Sequence, residues 1–170
     1  MTRYIALLRA VNVGGTGKLP MVDLRTLCQD AGFVRVETYI ASGNVVFESK
    51  AAASKVKAEL EARLFDYAGK PVGVVVRTAA EMLAALKANP FPNKEPHHTY
   101  AIFLDRSPPR DALDHVAGRN EEKLCLGDSE IYVHYPSGMG HSKLKIPAAK
   151  TGTARNMNTV AKLVEMASKP

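Results

Sequence analysis

Four short segments of the chain are rich in side chains that donate hydrogen bonds: residues 9–18, 42–44, 142–143 and 155–158. None of the four contains Asp or Glu. Arginine, lysine, asparagine and serine donors suit phosphate, sugar or carboxylate groups. The segments therefore predict a basic, polar anion-binding site, although they supply no residue to which a catalytic role can be assigned. The candidate ligand-binding residues are Arg9, Asn12, Gly14, Gly15, Lys18, Ser42, Asn44, Ser142, Lys143, Arg155, Asn156 and Asn158.

The glycine-rich segment 12–18 lies between a short apolar run and Pro20, which suits the first position of a helix. Asn12 stands where a Walker phosphate loop needs its first glycine, and Leu19 stands where that loop needs a hydroxyl to bind Mg²⁺. Pro20 replaces the last glycine of the dinucleotide-binding pattern. Both nucleotide-binding motifs are therefore excluded. Two interpretations remain: backbone amides and Lys18 bind an anion, or glycine serves a tight turn.

The last apolar-periodic segment, residues 154–168, is predicted to be a helix. On a helical wheel Arg155 and Asn158 lie on its polar side, one turn apart, where they could hold one polar ligand together. The alternative is that Asn158 begins the helix as its cap and leaves Arg155 in a loop. Asn156 lies between the apolar side and the polar side of this helix, which predicts a hydrogen bond from its side chain to the backbone.

The charge pattern is compatible with an anion site that includes this helix. No Asp or Glu occurs between residues 131 and 164, a stretch that contains four lysines and one arginine. Such a stretch indicates either a basic binding surface or a solvated face. We expect the segments 12–18, 42–44 and 155–158 to converge on one site, where backbone amides, a helix start and an arginine fork meet an anion.

Other catalytic and metal-binding patterns are missing from the sequence. Cys28 and Cys125 form no Cys-x-x-Cys pair, so we expect two reduced thiols at core positions and no zinc. His97 and His98 are adjacent, and neighbours in an extended chain point to opposite faces. No serine lies in a Gly-x-Ser-x-Gly elbow. The sequence predicts no metal and no cofactor, and it leaves open whether the protein is an enzyme.

The elements that position the first two polar segments follow the order β-α-β-β-α-β over residues 3–77. A strand ends near Val11, a hairpin turns around residues 42–44, and the second helix, whose apolar stripe includes Tyr67, ends at Gly69. This order is typical of the split βαβ, or ferredoxin-like, fold. Thr78 and Glu81 then form the capping box of a third helix.

The second half of the chain predicts a shorter version of the same pattern. Residues 87–98 contain three prolines and no periodicity, so they are predicted to be a linker. A strand follows, then a helix capped by Ser107, two strands and the final helix. We therefore predict an α+β fold with two ferredoxin-like halves, the second truncated, and mostly antiparallel sheet. The halves are residues 1–86 and 99–170, within one compact unit.

Composition places the chain among soluble globular proteins. It has 170 residues, 46% of them hydrophobic, and a formal net charge of +6. No apolar run approaches the roughly 18 residues of a membrane helix, and the run at the start is too short for a signal peptide. We expect a cytoplasmic protein without a membrane partner.

Four stretches of the chain carry a family resemblance: LLRAVNVGG (7–15), YIASGNVVF (39–47), GHSKL (140–144) and TARNMNTV (153–160). Together they resemble the bacterial family catalogued as domain of unknown function 1697. The family commonly has Gly, Arg and Trp where this chain has Ala10, His141 and Met157. The resemblance implies an α+β fold with a duplicated half, and it implies no activity and no catalytic residue.

Three functions remain open on the sequence. The first is a module that binds a phosphate-bearing ligand, such as a nucleotide, a sugar phosphate or nucleic acid. The second is an enzyme that acts on a small phosphorylated metabolite by charge stabilisation. The third is an oligomeric interaction protein whose polar motifs brace the fold. Aromatic residues are only 6% of the chain and Trp is absent, which argues against a base-stacking surface.

Overall fold

The computed structural model describes residues 1–13 and 17–170, and this part of the chain contains eight strands and four α-helices. The strands are β1 (Thr2–Leu8), β2 (Val34–Tyr39), β3 (Asn44–Ser49), β4 (Val74–Thr78), β5 (Thr99–Phe103), β6 (Lys123–Leu126), β7 (Glu130–His134) and β8 (Thr153–Asn156). The helices are α1 (Met21–Asp30), α2 (Ala53–Ala68), α3 (Ala79–Lys87) and α4 (Met157–Ala167).

The first sheet has the strand order β2-β3-β1-β4, and each of its pairings is antiparallel. Strand β1 lies in the middle, where Ile5 pairs with Val46 of β3 and with Arg77 of β4. Helix α1 connects β1 to β2, and α2 connects β3 to β4. The structure therefore confirms the predicted α+β fold with ferredoxin-like halves.

Helices α1 and α2 pack against one face of the first sheet. The rings of Phe33 and Phe47 stack there with centroids 4.4 Å apart. Alternate residues of each strand face the helices, as the two-residue period of a strand requires. The buried residues of this core include Tyr4, Ala6, Leu8, Leu24, Cys28, Phe33, Val36, Val45, Phe47, Val56, Leu60, Leu64 and Val74.

Two predicted helix ends are confirmed. Gly69 follows α2 with φ +72°, and its N–H donates to the carbonyl oxygen of Phe65 at 2.8 Å. At the start of α3, the N–H of Thr78 donates to Glu81 Oε1 at 2.9 Å and the N–H of Glu81 donates to Thr78 Oγ1 at 3.1 Å. These reciprocal bonds are the capping box that the sequence predicted.

Strand β4 lies at an edge of the first sheet, and side chains of α2 bind its first backbone groups. The N–H of Val74 donates to Glu61 Oε2 at 3.0 Å, while Lys57 Nζ donates to the carbonyl oxygen of Val74 at 2.7 Å. Lys57 and Glu61 also form an ion pair one helical turn apart, at 2.8 Å. Both polar backbone groups of Val74 are thus satisfied by side chains.

The second sheet has the order β6-β7-β5-β8, which repeats the spatial order of the first. Two predictions within it are wrong. The helix expected after Ser107 is a short 3-10 turn, Ala112–His115, and the chain from Thr153 to Asn156 is strand β8 rather than the start of the last helix. The apolar face of this sheet is covered by loop residues, among them Leu113, Leu144 and Ile146, where the first sheet has helices.

The chain divides into two compact units, one formed by residues 1–82 with 163–170 and the other by residues 83–162. The predicted linker, residues 87–98, belongs to the second unit and ends in a 3-10 turn, Pro96–His98.

Both cysteines are free thiols; Cys28 is buried and Cys125 is half-buried. In the described residues no helix has the length and apolar character needed to cross a bilayer.

Candidate functional site

The chain that leaves β1 is held by backbone hydrogen bonds on two sides. The N–H of Leu8 donates to the carbonyl oxygen of Gly43 at 2.8 Å, and the N–H of Arg9 donates to that of Gly73 at 2.9 Å. Gly43 belongs to the turn between β2 and β3, and Gly73 directly precedes β4. The exposed Arg9 side chain is therefore placed where the turn, the end of β1 and the start of β4 meet.

Asn12 closes the loop that follows. Its Nδ2 donates to the carbonyl oxygens of Leu19 and Ala41, both at 2.8 Å, and its Oδ1 accepts the N–H of Leu19 at 2.6 Å. Its φ of +56° lies in the left-handed region that asparagine tolerates. Because these bonds use both amide hydrogens, Asn12 positions the exposed Lys18 rather than offering donors to a ligand.

Ser42 and Asn44 shape the turn beside this loop. Asn44 is fully buried, and its Nδ2 donates to the carbonyl oxygen of Tyr39 and to Ser42 Oγ, both at 2.9 Å. Gly43 has φ +92°, and a Cβ atom there would lie 2.8 Å from Val11 Cγ2. The polar residues of this turn serve its conformation. Gly14 and Gly15, which the sequence also placed in the site, lie outside the described residues.

A cavity of about 550 Å³ opens beside the end of β1. Three exposed cationic side chains line it: Arg9, Lys18 and Lys70. A Cβ atom on Gly17 would lie 3.9 Å from Lys70 Nζ, so this ammonium group reaches the loop that carries Lys18. No Asp or Glu is found among the described residues that line the cavity. Its other lining residues are Ala10, Val11, Gly17, Leu19, Leu64, Tyr67, Ala68, Pro71, Val72 and Gly73.

Tyr67 is the aromatic residue that lines this cavity. The sequence placed it on the apolar stripe of its helix, whereas it is 44% exposed. Its hydroxyl donates to Asp23 Oδ2 at 2.6 Å, and this bond raises the pKa of the Tyr67 phenol. Sequence reasoning missed Tyr67 and Lys70 as site residues. Both are far along the chain from Arg9, and the packing of α2 against the first sheet brings them to the same cavity.

Ser142 and Lys143 lie in the second unit. Ser142 Oγ donates to Glu122 Oε2 at 2.5 Å and accepts the N–H of Leu144 at 3.1 Å. The Ser142 hydroxyl holds the pKa of the Glu122 carboxyl below its usual range, helped by the N–H of Asn120 at 2.6 Å. Ser142 therefore braces a buried acid. Lys143 lines a smaller cavity of about 270 Å³ that also contains acidic residues.

Arg155 does not lie on a helix, contrary to the wheel interpretation. It is in β8, paired with Ala101, and only 7% exposed. Its Nη1 donates to the carbonyl oxygen of Ala154 at 2.9 Å, and burial lowers the pKa of its guanidinium to about 10. Arg155 is thus a buried cation of the second unit, still charged at neutral pH. Its predicted convergence with the loops of the first unit stays a prediction.

Asn156 is the cap of α4. Its Oδ1 accepts the N–H of Thr159 at 2.9 Å, which confirms the predicted hydrogen bond to the backbone. Asn158 is exposed on the first turn of α4, so it is not the cap.

Within the two described ranges, no group of three or more His, Cys, Asp or Glu side chains is arranged to hold a metal ion.

Comparison with known proteins adds a family and a fold. Residues 1–132 match the family model described as "Protein of unknown function (DUF1697)". The conserved bacterial protein SP0830 from Streptococcus pneumoniae has a similar structure, with a TM-score of 0.82, 25% sequence identity and coverage of 99% of each chain. No curated protein matches the chain.

Proposed function

Because the chain belongs to the family described as "Protein of unknown function (DUF1697)", whose description names no ligand, we propose its function from the site: it binds a phosphate-bearing ligand in the cavity beside β1. The observation that carries this proposal is that Arg9, Lys18 and Lys70 line one cavity. Arginine offers a planar fork that suits phosphate oxygens, and the two lysines offer compact positive charges.

Electrostatics supports an anionic occupant. Three cationic side chains around one cavity make the local electrostatic potential more positive, which favours a bound anion. Because all three side chains are exposed, salt screens them over roughly 8–10 Å near physiological ionic strength. Affinity for a phosphate group should therefore fall as the salt concentration rises.

The second sheet provides an internal comparison. Leu104, which follows β5, donates its N–H to the carbonyl oxygen of Ser129 at 2.9 Å, as Leu8 does to the corresponding turn of the first sheet. The next residue is Asp105 in the second sheet and Arg9 in the first. The same backbone arrangement thus occurs with an acidic residue at the corresponding position, so the fold does not require the cation at the end of β1.

The hydrogen bonds also divide the candidate residues between two roles. Asn12, Asn44 and Ser142 use their side chains to hold backbone or other side chains of their own unit. These hydrogen bonds favour the interpretation that the polar motifs containing these residues stabilise the fold rather than bind a ligand. The proposed ligand-binding set is therefore Arg9 and Lys18, with Lys70 added from the structure.

Isothermal titration calorimetry tests the proposal with inorganic phosphate, ribose 5-phosphate and a short oligonucleotide. We expect a phosphate compound to bind at millimolar concentration or below. Arg9→Ala, Lys18→Ala and Lys70→Ala should each weaken that binding, by about 1.5–3 kcal/mol if a charged hydrogen bond is lost. The control is Lys55→Ala, an exposed lysine of α2 that does not line the cavity. The proposal is wrong if no compound binds, or if the control loses as much affinity as the cavity variants.

A further inference from the structure

The cavity beside β1 has two chemically different sets of lining residues. Arg9 and Lys18 come from the loop before α1, and Lys70 comes from the loop before β4. One face of the last turns of α2 supplies Leu64, Tyr67 and Ala68. These three residues have the i, i+3, i+4 spacing that places side chains on the same face of a helix. Leu64 is buried, whereas Tyr67 and Ala68 are exposed. Inorganic phosphate would match the cations and leave Tyr67 and Ala68 in water, so a well-matched ligand also has an apolar part.

Tyr67 gives that face an aromatic surface that is already held in place. It is 44% exposed, and its hydroxyl bond to Asp23 Oδ2 at 2.6 Å fixes the far end of the ring. A ring ordered before binding loses little conformational entropy when a ligand covers it. Tyrosine rings stack on the flat faces of nucleobases and other planar groups.

Asp23 also sets the direction in which such a ligand would bind. Its carboxylate lies against the hydroxyl of Tyr67, so a phosphate is repelled from that end of the ring. Arg9, Lys18 and Lys70 attract the phosphate elsewhere in the same cavity. The anionic end and the planar end of one ligand would therefore occupy different parts of the cavity.

From this arrangement we infer that the ligand is a mononucleotide-like compound, in which a phosphate and a planar ring are joined by a short linker. The inference rests on the phosphate site proposed above. A volume of about 550 Å³ falls within the range of roughly 300–1,000 Å³ that small-molecule sites span, which suits one nucleotide. The phosphate contacts the three cations, and the ring stacks on Tyr67.

Calorimetric titration distinguishes this inference from phosphate binding alone. The probes are adenosine 5′-monophosphate, uridine 5′-monophosphate, ribose 5-phosphate and a single-stranded tetranucleotide. The variants are Tyr67→Leu, which removes the ring, and Tyr67→Phe, which keeps it. Phe65→Leu is the matched control, because Phe65 is an exposed aromatic residue of the same helix that does not line the cavity.

We expect a nucleoside monophosphate to bind the wild type about tenfold or more tightly than ribose 5-phosphate, the range of one stacked base. Tyr67→Leu should abolish that advantage, while Tyr67→Phe and Phe65→Leu retain it. If ribose 5-phosphate binds as well as the nucleotides and Tyr67→Leu changes nothing, the ring inference is wrong and phosphate binding stands. A tetranucleotide that binds tenfold more tightly than the monophosphates also overturns the inference. Absence of binding by every probe overturns both proposals.

Discussion

Arg155 occupies in the second sheet the position that Arg77 occupies in the first. Each is the penultimate residue of the fourth strand of its sheet, and each precedes the residue that caps the next helix, Asn156 or Thr78. Arg77 is 8% exposed and Arg155 is 7% exposed, and in both cases Nη1 donates to the carbonyl oxygen of the preceding residue. A buried arginine at each strand–helix junction therefore belongs to the architecture of both sheets.

Replacing Arg155 by Ala should destabilise the protein. The change removes a charge-assisted hydrogen bond and the packing of a buried aliphatic stem, so we expect a loss of about 2–3 kcal/mol in the free energy of unfolding. Urea denaturation followed by circular dichroism measures this loss. Arg106→Ala, at an exposed position of the same unit, should change stability by less than about 0.5 kcal/mol. Equal stability of Arg155→Ala and the wild type would contradict the architectural role.

Asn12→Asp should destabilise the loop that carries Lys18. The substitution keeps the size of the side chain but replaces the Nδ2 donor with an oxygen that faces the carbonyl oxygens of Leu19 and Ala41. Loss of these two hydrogen bonds, of which the one to Leu19 is partly buried and the one to Ala41 is exposed, should cost about 1–3 kcal/mol of unfolding free energy. Denaturation midpoints for both proteins measure it. An Asn12→Asp protein as stable as the wild type would show that these bonds contribute little.

Gly43→Ala should be more destabilising than Gly32→Ala, although both glycines have positive φ. Gly32 has φ +86°, and no atom lies within 4 Å of the position that a Cβ would take, so alanine there meets backbone strain alone, about 1–2 kcal/mol. At Gly43 the same strain is joined by contacts of 2.8 Å to Val11 Cγ2 and 2.9 Å to Leu8 Cβ. This crowding should add about 1–3 kcal/mol. Chemical denaturation of both variants compares them, and equal losses would refute the role of the close approach.

Stability should fall when the pH drops below about 6.5, in part because of His134. This residue is 3% exposed, and its Nδ1 lies 3.2 Å from Thr99 Oγ1. Burial lowers the pKa of His134. The negative charge of the nearby Glu95 raises this pKa, whereas the positive charges of Lys94, His98 and Lys123 lower it further. Between the lowered pKa and the unfolded value the unfolded chain binds more protons, so stability rises with pH through that window and is fully present above it.

His134→Asn tests this dependence because asparagine can still bond to Thr99 and does not titrate. Urea midpoints at pH 7.5, 6.5 and 5.5 should show a smaller decrease for the variant than for the wild type. Parallel decreases in the two proteins would assign the acid sensitivity to other groups.

Local signals were sufficient to predict much of the fold. The ends at Gly69 and Thr78 depend on residues within one helical turn, and the structure has both. Strand β8 was mispredicted because its four residues adjoin an apolar stripe of helical period, which favours extending the helix backwards. The alternating burial of Thr153 and Arg155, which marks them as strand residues, arises from pairing with a distant strand, β5.

The candidate site was partly predictable for the same reason. Arg9 and Lys18 flank a glycine-rich loop, so their proximity follows from the local sequence. Lys70 and Tyr67 join them through the packing of α2, which no local pattern encodes. Asn12 and Ser142 were predicted to bind a ligand because their side chains donate hydrogen bonds. Sequence alone does not distinguish a donor offered to a ligand from one already bound to backbone or to a buried acid.

The contacts of Lys57 and Glu61 with Val74 also bear on how one copy of this protein meets another. An exposed edge strand offers unpaired backbone groups on which a strand from a second molecule can dock, and such docking begins aggregation. At Val74 those groups are already bonded to a lysine and a glutamate of α2. An incoming strand would have to displace both side chains and break their ion pair, so the first residue of β4 resists strand addition without a proline or a bulge.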